Sequence, residues 1–316
     1  MQIVVRQISG LGNQLFQYAA GRYFAKLYGA QLKIAFDPRG AVSHGYVRPF
    51  LLPQFCIASQ LYQLTNFERL ILSSKAVLRP VAGALKSTFK LQVFVEEFSH
   101  RFDFLSSLPL EDGARTVYLV GYWQSYRFAD AIENELRSEL ALREPAQGIN
   151  LEVLERIQQT EHPISLHIRR GDFTLEAEGE IALPISYYLQ AIQFFRDRRG
   201  TPTFFVFSDD IDFARRHLPG DLNLVFVDHN DASSAHEDLR LMSSCYDHII
   251  ANSTFSWWGA WLNPRPDKIV FAPKFWHLKP TSYFPELFPP HWVLAGDPDE
   301  APVSVSASSI KRDSGR

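Results

Sequence analysis

Pro163-Ile-Ser-Leu-His-Ile-Arg-Arg-Gly-Asp172 is the stretch that decides the fold. Pro163 to Leu166 reads as a strand, and the two guanidinium groups follow where a strand should end and a loop begin. In open α/β sheets, ligands bind in the crevice outside those carboxyl ends. Arginine is always charged and forks its donors onto phosphate or carboxylate oxygens. Successive strand side chains point to opposite faces. Arg169 and Arg170 are therefore expected to divide the work: one reaches a ligand, the other pairs inside the protein, with Asp172 as a ready partner. A solvated Arg-Arg-Asp turn is the plain alternative, and so short a motif does not choose between them.

The pattern is cleanest downstream of this stretch. Strands are expected at 163–168, 203–208, 223–228, 248–252 and 268–273, with helices at 185–198, 210–217, 235–245 and 256–262. Alternating strand and helix implies a parallel, doubly wound sheet. Upstream, residues 2–8 read as a strand, Ser9-Gly10-Leu11-Gly12-Asn13-Gln14 as a glycine-rich turn, and 15–28 as a helix with apolar side chains at helical spacing. Residues 31–36 read as the next strand. Prolines 49, 53, 80 and 109 break up residues 40–110, where short helices and long loops are expected. A strand at 117–120 leads into Gly121-Tyr122-Trp123-Gln124, and helices follow at 127–141 and 150–160. These readings give one unit over 1–160, a second over 161–296, and a Ser- and charge-rich tail over 297–316 that is expected to be disordered.

Composition narrows the function. A chain of 316 residues, 46% apolar and 14% aromatic, is globular and long enough for two α/β domains. A net charge of −3 supplies no general basic field for nucleic acid or anionic membrane. Phosphate affinity must then come from local arginines. Cys56 and Cys245 are too few for a disulfide framework or a cysteine-rich zinc site, and both are expected to be buried thiols in a reducing compartment. The chain opens directly on a strand, with no signal-peptide pattern and no window near the roughly 20 apolar residues of a membrane span. A cytoplasmic protein is expected. The glycosylation pattern Asn252-Ser253-Thr254 is then incidental.

Several side-chain groups could carry chemistry, and each has a plainer alternative. The Gly10-x-Gly12-Asn13-Gln14 loop lets another group approach the backbone closely, or Asn13 simply caps a helix. Ser208 or Asp209 could floor the crevice, while Asp209 or Asp210 could cap the next helix. Asp228-His229-Asn230-Asp231 and His236-Glu237-Asp238 crowd oxygen and imidazole groups together. They lack zinc or EF-hand spacing, so loops and caps are favoured over a metal, and Asp238 could accept from a purine ring. Asn252-Ser253-Thr254-Phe255-Ser256-Trp257-Trp258-Gly259-Ala260-Trp261 turns on hydroxyl residues and opens an aromatic helix, whose N-terminus is a natural phosphate seat. Core packing is the favoured role of Trp258 and Trp261. Two phosphate-friendly strand ends in one unit favour a nucleoside diphosphate, and no P-loop is present.

Four ordered motifs resemble the bacterial α-1,2-fucosyltransferases over most of the chain. They are Gly10-Leu-Gly-Asn-Gln-Leu-Phe-Gln-Tyr-Ala19, Gly121-Tyr-Trp-Gln124, His167-Ile-Arg-Arg-Gly-Asp172, and Asp238 through Asn252-Ser-Thr-Phe-Ser-Trp-Trp-Gly-Ala-Trp-Leu262. The resemblance implies a GT-B-type α/β fold, two Rossmann-like domains facing across a cleft. It implies transfer of fucose from GDP-fucose to O2 of a terminal β-galactoside, with inversion and without a metal or other cofactor. It implies that Arg169 contacts the donor phosphates with His167 close by, and that Asp238 reads the guanine. Ser253, Thr254 and Phe255 should close around the diphosphate, with Gly12 and Asn252 on the donor side. Asn13 should face the reacting sugar or acceptor. The catalytic base stays unassigned among Glu176, Glu178 and Asp172, with Glu180 in the same stretch. Tyr122, Trp123 and His44 are acceptor-side candidates, core packing being favoured for Trp123. The competing readings are a same-fold transferase of another linkage or donor, a glycan-binding protein that has lost catalysis, and a nucleotide-binding scaffold.

Overall fold

The computed structural model describes residues 1–37, 42–43, 46–72, 79–96, 107–171, 182–276 and 286–295. Strands joined by helices or long connections run parallel, and here they sort into two sheets. The first half supplies β1 (Gln2–Gln7), α1 (Leu11–Leu27), β2 (Gln31–Phe36), a small hairpin of β3 (Val42–Ser43) and β4 (Tyr46–Val47), β5 (Gln60–Gln63), α2 (Asn66–Ile71), α3 (Arg79–Phe89), β6 (Leu91–Val95) and β7 (Thr116–Val120). Its sheet runs β5-β2-β1-β7-β6, all parallel. After α4 (Tyr126–Asp130), α5 (Glu133–Glu139) and α6 (Gly148–Gln159) the second half begins. It holds β8 (Pro163–Ile168), α7 (Ile185–Arg199), β9 (Thr203–Ser208), α8 (Ile211–His217), β10 (Asn223–Val227), α9 (Ala235–Ser244), β11 (Asp247–Ile249), α10 (Thr254–Leu262), β12 (Val270–Ala272) and β13 (Val293–Leu294). That sheet runs β10-β9-β8-β11-β12-β13, again parallel.

The strand orders decide where a ligand can go. β1 lies between β2 and β7, and β8 lies between β9 and β11. Connections therefore leave in opposite directions at β1 and at β8, which opens a crevice at the carboxyl end of each. The Ser9–Asn13 turn follows β1, and the Arg169–Arg170 pair follows β8. Every residue of β8 is buried, as expected of a strand covered on both faces.

The first turn is braced by side chains that the sequence presents as a polar run. Gln17, fully buried on α1, accepts from the Ile8 amide at 3.0 Å and donates to the Ile8 carbonyl. Gln14 donates to the Pro49 carbonyl at 2.8 Å and accepts from the Leu51 amide at 3.0 Å, tying the loop before Leu52 to the helix. Gly21 lets α1 lie on the sheet, since a Cβ there would sit 2.3 Å from Val5 Cγ2.

Several expectations are corrected. Residues 40–110 contain the edge strand β6 and the outer strand β5, which sequence periodicity misses because the side chains of both are at best half-buried. The helix expected over 127–141 is two, α4 and α5, separated at Ala131 and Ile132. Helix α1 begins at Leu11, so Asn13 lies inside its first turn and Gly10 takes the cap position. Cys245 is buried, but Cys56 is exposed: Phe55 and Ile57 on either side turn inward, so the residue between them turns out. A division near residue 160 would assign α6 to the first half. Yet Ile157, Val153 and Leu154 of that helix pack with Phe205, Phe207, Leu241 and Met242 of the second half. The expected tail over 297–316 lies outside the described residues.

The two halves share one core. Phe16 of α1 meets Trp257 and Trp258 of α10 at ring-centroid distances of 4.5 and 5.1 Å. Trp258 and Trp261 are buried in that contact, as favoured from the sequence. The Trp261 indole donates to Asp130 at 2.8 Å, and Arg137 donates to the carbonyls of Trp261 and Leu262 at the end of α10. Cationic donors suit a helix C-terminus, where carbonyls lack internal partners. Among the described residues no helix is long and apolar enough to cross a membrane.

Candidate active site

A cleft of about 400 Å³ lies where the two sheets face each other, between the turn after β1 and the ends of β8, β9 and β11. Its walls include two helix N-termini, those of α1 and α10, and the positive ends of both dipoles favour anions. The helices approach so closely that a Cβ at Gly12 would sit 2.4 Å from the Phe255 backbone nitrogen. Gly12 is thus first a packing residue: only a missing side chain allows this crossing.

Arg169 extends from β8 into the cleft, where its Nη1 pairs with Asp209 Oδ2 at 2.9 Å. Asp209 also accepts from the Arg170 backbone amide at 2.8 Å, so one carboxylate steadies both arginines. Arg170 diverges as the alternation of a strand requires: its guanidinium lies over the Phe213 ring at 3.7 Å, near Asp210 at 3.5 Å. Asp172, its expected partner, lies outside the described residues. The cleft floor and the helix cap are both realised, by different residues. Ser208 and Asp209 line the cleft, while Asp210 accepts from the Phe213 amide at 3.0 Å and caps α8.

His167, buried on the same strand, packs against the Phe255 ring at 5.8 Å. Burial, reinforced by the Arg169 cation, holds its imidazole down to about 3, so it is neutral at physiological pH. Its Nδ1 is buried without a hydrogen-bond partner. A neutral ring beside the arginine can hydrogen-bond a ligand but adds no charge to the site. A second cation, Arg48, reaches the cleft from the loop before Leu52, its stem 3.6 Å from a Cβ position at Gly10.

The opposite wall is the Asn252–Phe255 turn. Asn252 is buried and donates to the Trp276 carbonyl at 2.9 Å, which leaves the glycosylation pattern inaccessible. The Ser253 hydroxyl caps α10 by accepting from the Phe255 amide at 3.3 Å. Capping and cleft lining coexist at this residue.

Asp238, in the first turn of α9, lines the far end of the cleft with Asn230 and Ala235. Burial pushes its carboxyl up to about 7; a hydrogen bond from Asn230 at 2.7 Å pulls against this, and Glu237 adds to it. Asn230 is itself held by Asn150, which also contacts His229 at 2.8 Å. Of the remaining oxygen-rich residues of this region, Asp228 pairs with Arg215 and Glu237 with Arg240, whereas Asp231 stays on the cleft wall and accepts from the Ser233 and Ser234 amides. Among the described residues no group of three or more His, Cys, Asp or Glu side chains converges as a metal cluster.

Gly12, Asn13, His167, Arg169, Asp238, Asn252, Ser253, Thr254 and Phe255 therefore line one cleft. Trp123 does not: it is 1% exposed and packs against Phe24 and Phe128, so its ring belongs to the core and not to an acceptor surface. Tyr122 is exposed but stands outside the cleft wall. His44, Glu176, Glu178 and Glu180 lie outside the described residues. Arg48, Gln124, Asn230 and Trp276 also line the cleft, and sequence reasoning did not single them out as ligand-facing. Gln124 carried a signal as the last residue of the Gly121–Gln124 motif, and Asn230 as a member of the oxygen-rich Asp228–Asp231 run.

Two parallel-sheet α/β domains facing one cleft are the GT-B architecture of glycosyltransferases. The chain belongs to glycosyl transferase family 11, which it matches over residues 2–294. It is 30% identical over 282 residues to the O-antigen biosynthesis glycosyltransferase WbnK of Escherichia coli, covering 84% of this chain and 92% of that protein. An α-1,2-colitosyltransferase of Escherichia coli is 30% identical over 308 residues, 92% of this chain and 98% of the relative. Galactoside α-(1,2)-fucosyltransferase 1 of Ateles belzebuth is 25% identical over 290 residues, 88% of this chain and 69% of that protein. Among solved structures, NodZ α-1,6-fucosyltransferase soaked with GDP-fucose has a TM-score of 0.51 at 17% identity, covering 83% of this chain and 92% of the other. That likeness concerns the fold.

Proposed function

We propose that this glycosyltransferase moves L-fucose from GDP-fucose to O2 of a terminal β-galactoside, with inversion and without a metal cofactor. The observation that carries the reading is the convergence of the Arg169 guanidinium, the α10 N-terminus and the half-buried Asp238 carboxyl in one cleft. These are three recognition elements for one nucleoside diphosphate. Asp238 accepts from the adjacent N–H groups of the guanine edge, which favour its ionised form. The α10 amides and the Ser253 and Thr254 hydroxyls receive the diphosphate. Arg169 exchanges part of its Asp209 pairing for phosphate oxygens and stabilises the charge that grows on GDP as the sugar leaves, in the manner of any preorganised electrostatic site. Asn13 faces the reacting sugar. His167, its imidazole held down to about 3 by burial, is too weak a base to accept the acceptor proton, and Asp172, Glu176 and Glu178 are the candidates for that role.

A second donor is favoured by one finding: a relative aligned along nearly its whole length is a colitosyltransferase. Colitose lacks the 3-hydroxyl of fucose, and none of the recognition elements above bears on that position. The deciding experiment incubates the purified protein in EDTA with GDP-fucose or GDP-colitose, with and without lactose, and determines product mass and linkage. Fucose on galactose O2 is the expected product. Colitosyl product alone selects the second donor, and intact donor across a β-galactoside panel overturns both readings.

A further inference from the structure

Asn13 is held from both sides. Its Nδ2 donates to Ser9 Oγ at 3.0 Å, and its Oδ1 accepts from Gln124 Nε2 at 2.8 Å. The amide is thus oriented by two partners 115 positions apart in the chain, one from the turn after the central strand β1 and one from the turn after its neighbour β7. One of its two N–H bonds is taken by Ser9, so the other is the donor that this orientation leaves for the cleft.

Both partners sit on unusual backbone. Among the described residues only three without a glycine side chain have positive φ: Ser9 at 66°, Trp123 at 55° and Lys90 at 52°. Ser9 is itself a partner of Asn13, and Trp123 immediately precedes the other. Left-handed backbone is costly for a residue as bulky as tryptophan, and such strain persists only where surrounding contacts over-determine it. The contacts are present. Glu96, at the end of β6, accepts from the backbone amides of both Tyr122 and Trp123 at 2.6 Å, a carboxylate seated in a nest of successive N–H groups. Gly121, at φ 143°, lets this carboxylate approach, since a Cβ there would lie 2.5 Å from Glu96 Cβ. The turn is built and braced, and its product is the placement of Gln124 against Asn13.

We propose that Gln124 is a positioning residue for sugar transfer: it fixes the rotation of the Asn13 amide so that an N–H, and not the carbonyl oxygen, is presented to the reacting sugar. The proposal rests on the reading above in placing the sugar near Asn13. Gln124 acts through Asn13 and is not itself the group that reacts. Glu96 secures the turn that carries Gln124.

The test compares wild type, Gln124→Ala and Gln124→Glu by GDP titration, thermal midpoint, steady-state transfer, and 15N spectra of asparagine side chains. The Asn13 NH2 pair is the one missing from Asn13→Asp. In Gln124→Ala this pair should shift and lose exchange protection, while GDP affinity and thermal midpoint hold. Its kcat should fall by about 10²-fold, the cost of a misplaced group in a reacting assembly, with donor KM changed by less than about twofold. Gln124→Glu should fall further, because a carboxylate cannot donate to Asn13 Oδ1 and turns the amide over. An unmoved Asn13 pair in Gln124→Ala overturns the proposal, as does a kcat within about twofold of wild type. The spectra need no donor. If the wild type transfers no fucose, they still decide the positioning role, and the kinetic failure counts against the donor reading alone.

Discussion

At the residue scale, the site works through charges whose environments are set by burial. On the proposed reading Arg169 meets the leaving group, and its guanidinium is already paired with Asp209. Arg169→Ala should cost about 10²–10³ in kcat, the usual loss when a preorganised donor is removed. Arg169→Lys should recover little, because an ammonium cannot serve Asp209 and a phosphate in one plane. Initial rates of donor turnover check this, and wild-type rates in either variant would remove the leaving-group role. Asp238 carries a pH signature. Its folded pKa lies above its ordinary value, so the empty folded protein binds a proton that the unfolded chain releases. Stability from this group therefore falls as pH rises from about 4 toward 7, and the cost is fully present above 7. Asp238→Asn should raise the denaturation midpoint of the empty protein at pH 8 and leave it unchanged near pH 3. If guanine requires the carboxylate, GDP affinity of the wild type should fall as pH drops below about 7. The variant should bind about 10- to 100-fold more weakly at pH 8, the worth of a charge-assisted hydrogen bond. Calorimetric titrations at pH 6 and 8 read both effects, and an Asn variant with wild-type affinity at pH 8 would exclude guanine recognition by this residue.

At the element scale, the cleft depends on how α1 crosses α10. The backbone of the Thr254–Phe255 turn fills the space that a Cβ on Gly12 would need. Backbone cannot swing aside as a side chain can, so Gly12→Ala must part the two helix N-termini. Overpacking of this kind costs about 1–3 kcal/mol. We expect a lower urea midpoint together with lost GDP affinity, while Gly10→Ala, with Arg48 Cδ at 3.6 Å, should be milder in both. Equal behaviour of the two variants would show that the close approach does not shape the site. The sequence makes this element half legible. Gly12 reads as a place of close approach, but nothing in a linear pattern says that the approaching group is a helix about 240 residues away. The strands β1 and β8 are legible because they are buried runs ending in chemistry-bearing loops. β5 is not, because Gln60-Leu-Tyr-Gln63 is half polar, and β6 is not, because an apolar run as short as Leu91–Val95 does not by itself separate strand from helix. Gln124 was visible as a motif letter, yet its use depends on the fold bringing β7 beside β1.

At the scale of the whole molecule, two readings of the chain meet. Alternating strands and helices describe two units, and the two sheets bear that pattern. The aromatic residues describe something else, a core that ignores the division. Phe16, Trp257, Trp258 and Trp261 are buried together, and Trp292 packs on Trp257 at 5.4 Å. The sequence could mark these tryptophans as packing residues but not as packing against the first half, because periodicity reports which face is buried and not what buries it. A shared core couples the halves energetically. We therefore expect one calorimetric unfolding transition, with van't Hoff and calorimetric enthalpies in agreement, although the chain is of two-domain size. Phe16→Ala removes a ring at the centre of the contact and should destabilise by about 3–5 kcal/mol. If the halves are coupled, that loss moves the whole transition to lower temperature without splitting it until the interface fails, and GDP, held on the proposed reading by Arg169, Asp238 and the α10 N-terminus of the second half, should raise that single transition through mass action. Two resolved transitions in the wild type, only one of them shifted by GDP, would mean that the halves fold independently and that the tryptophan core fastens them without joining their stability.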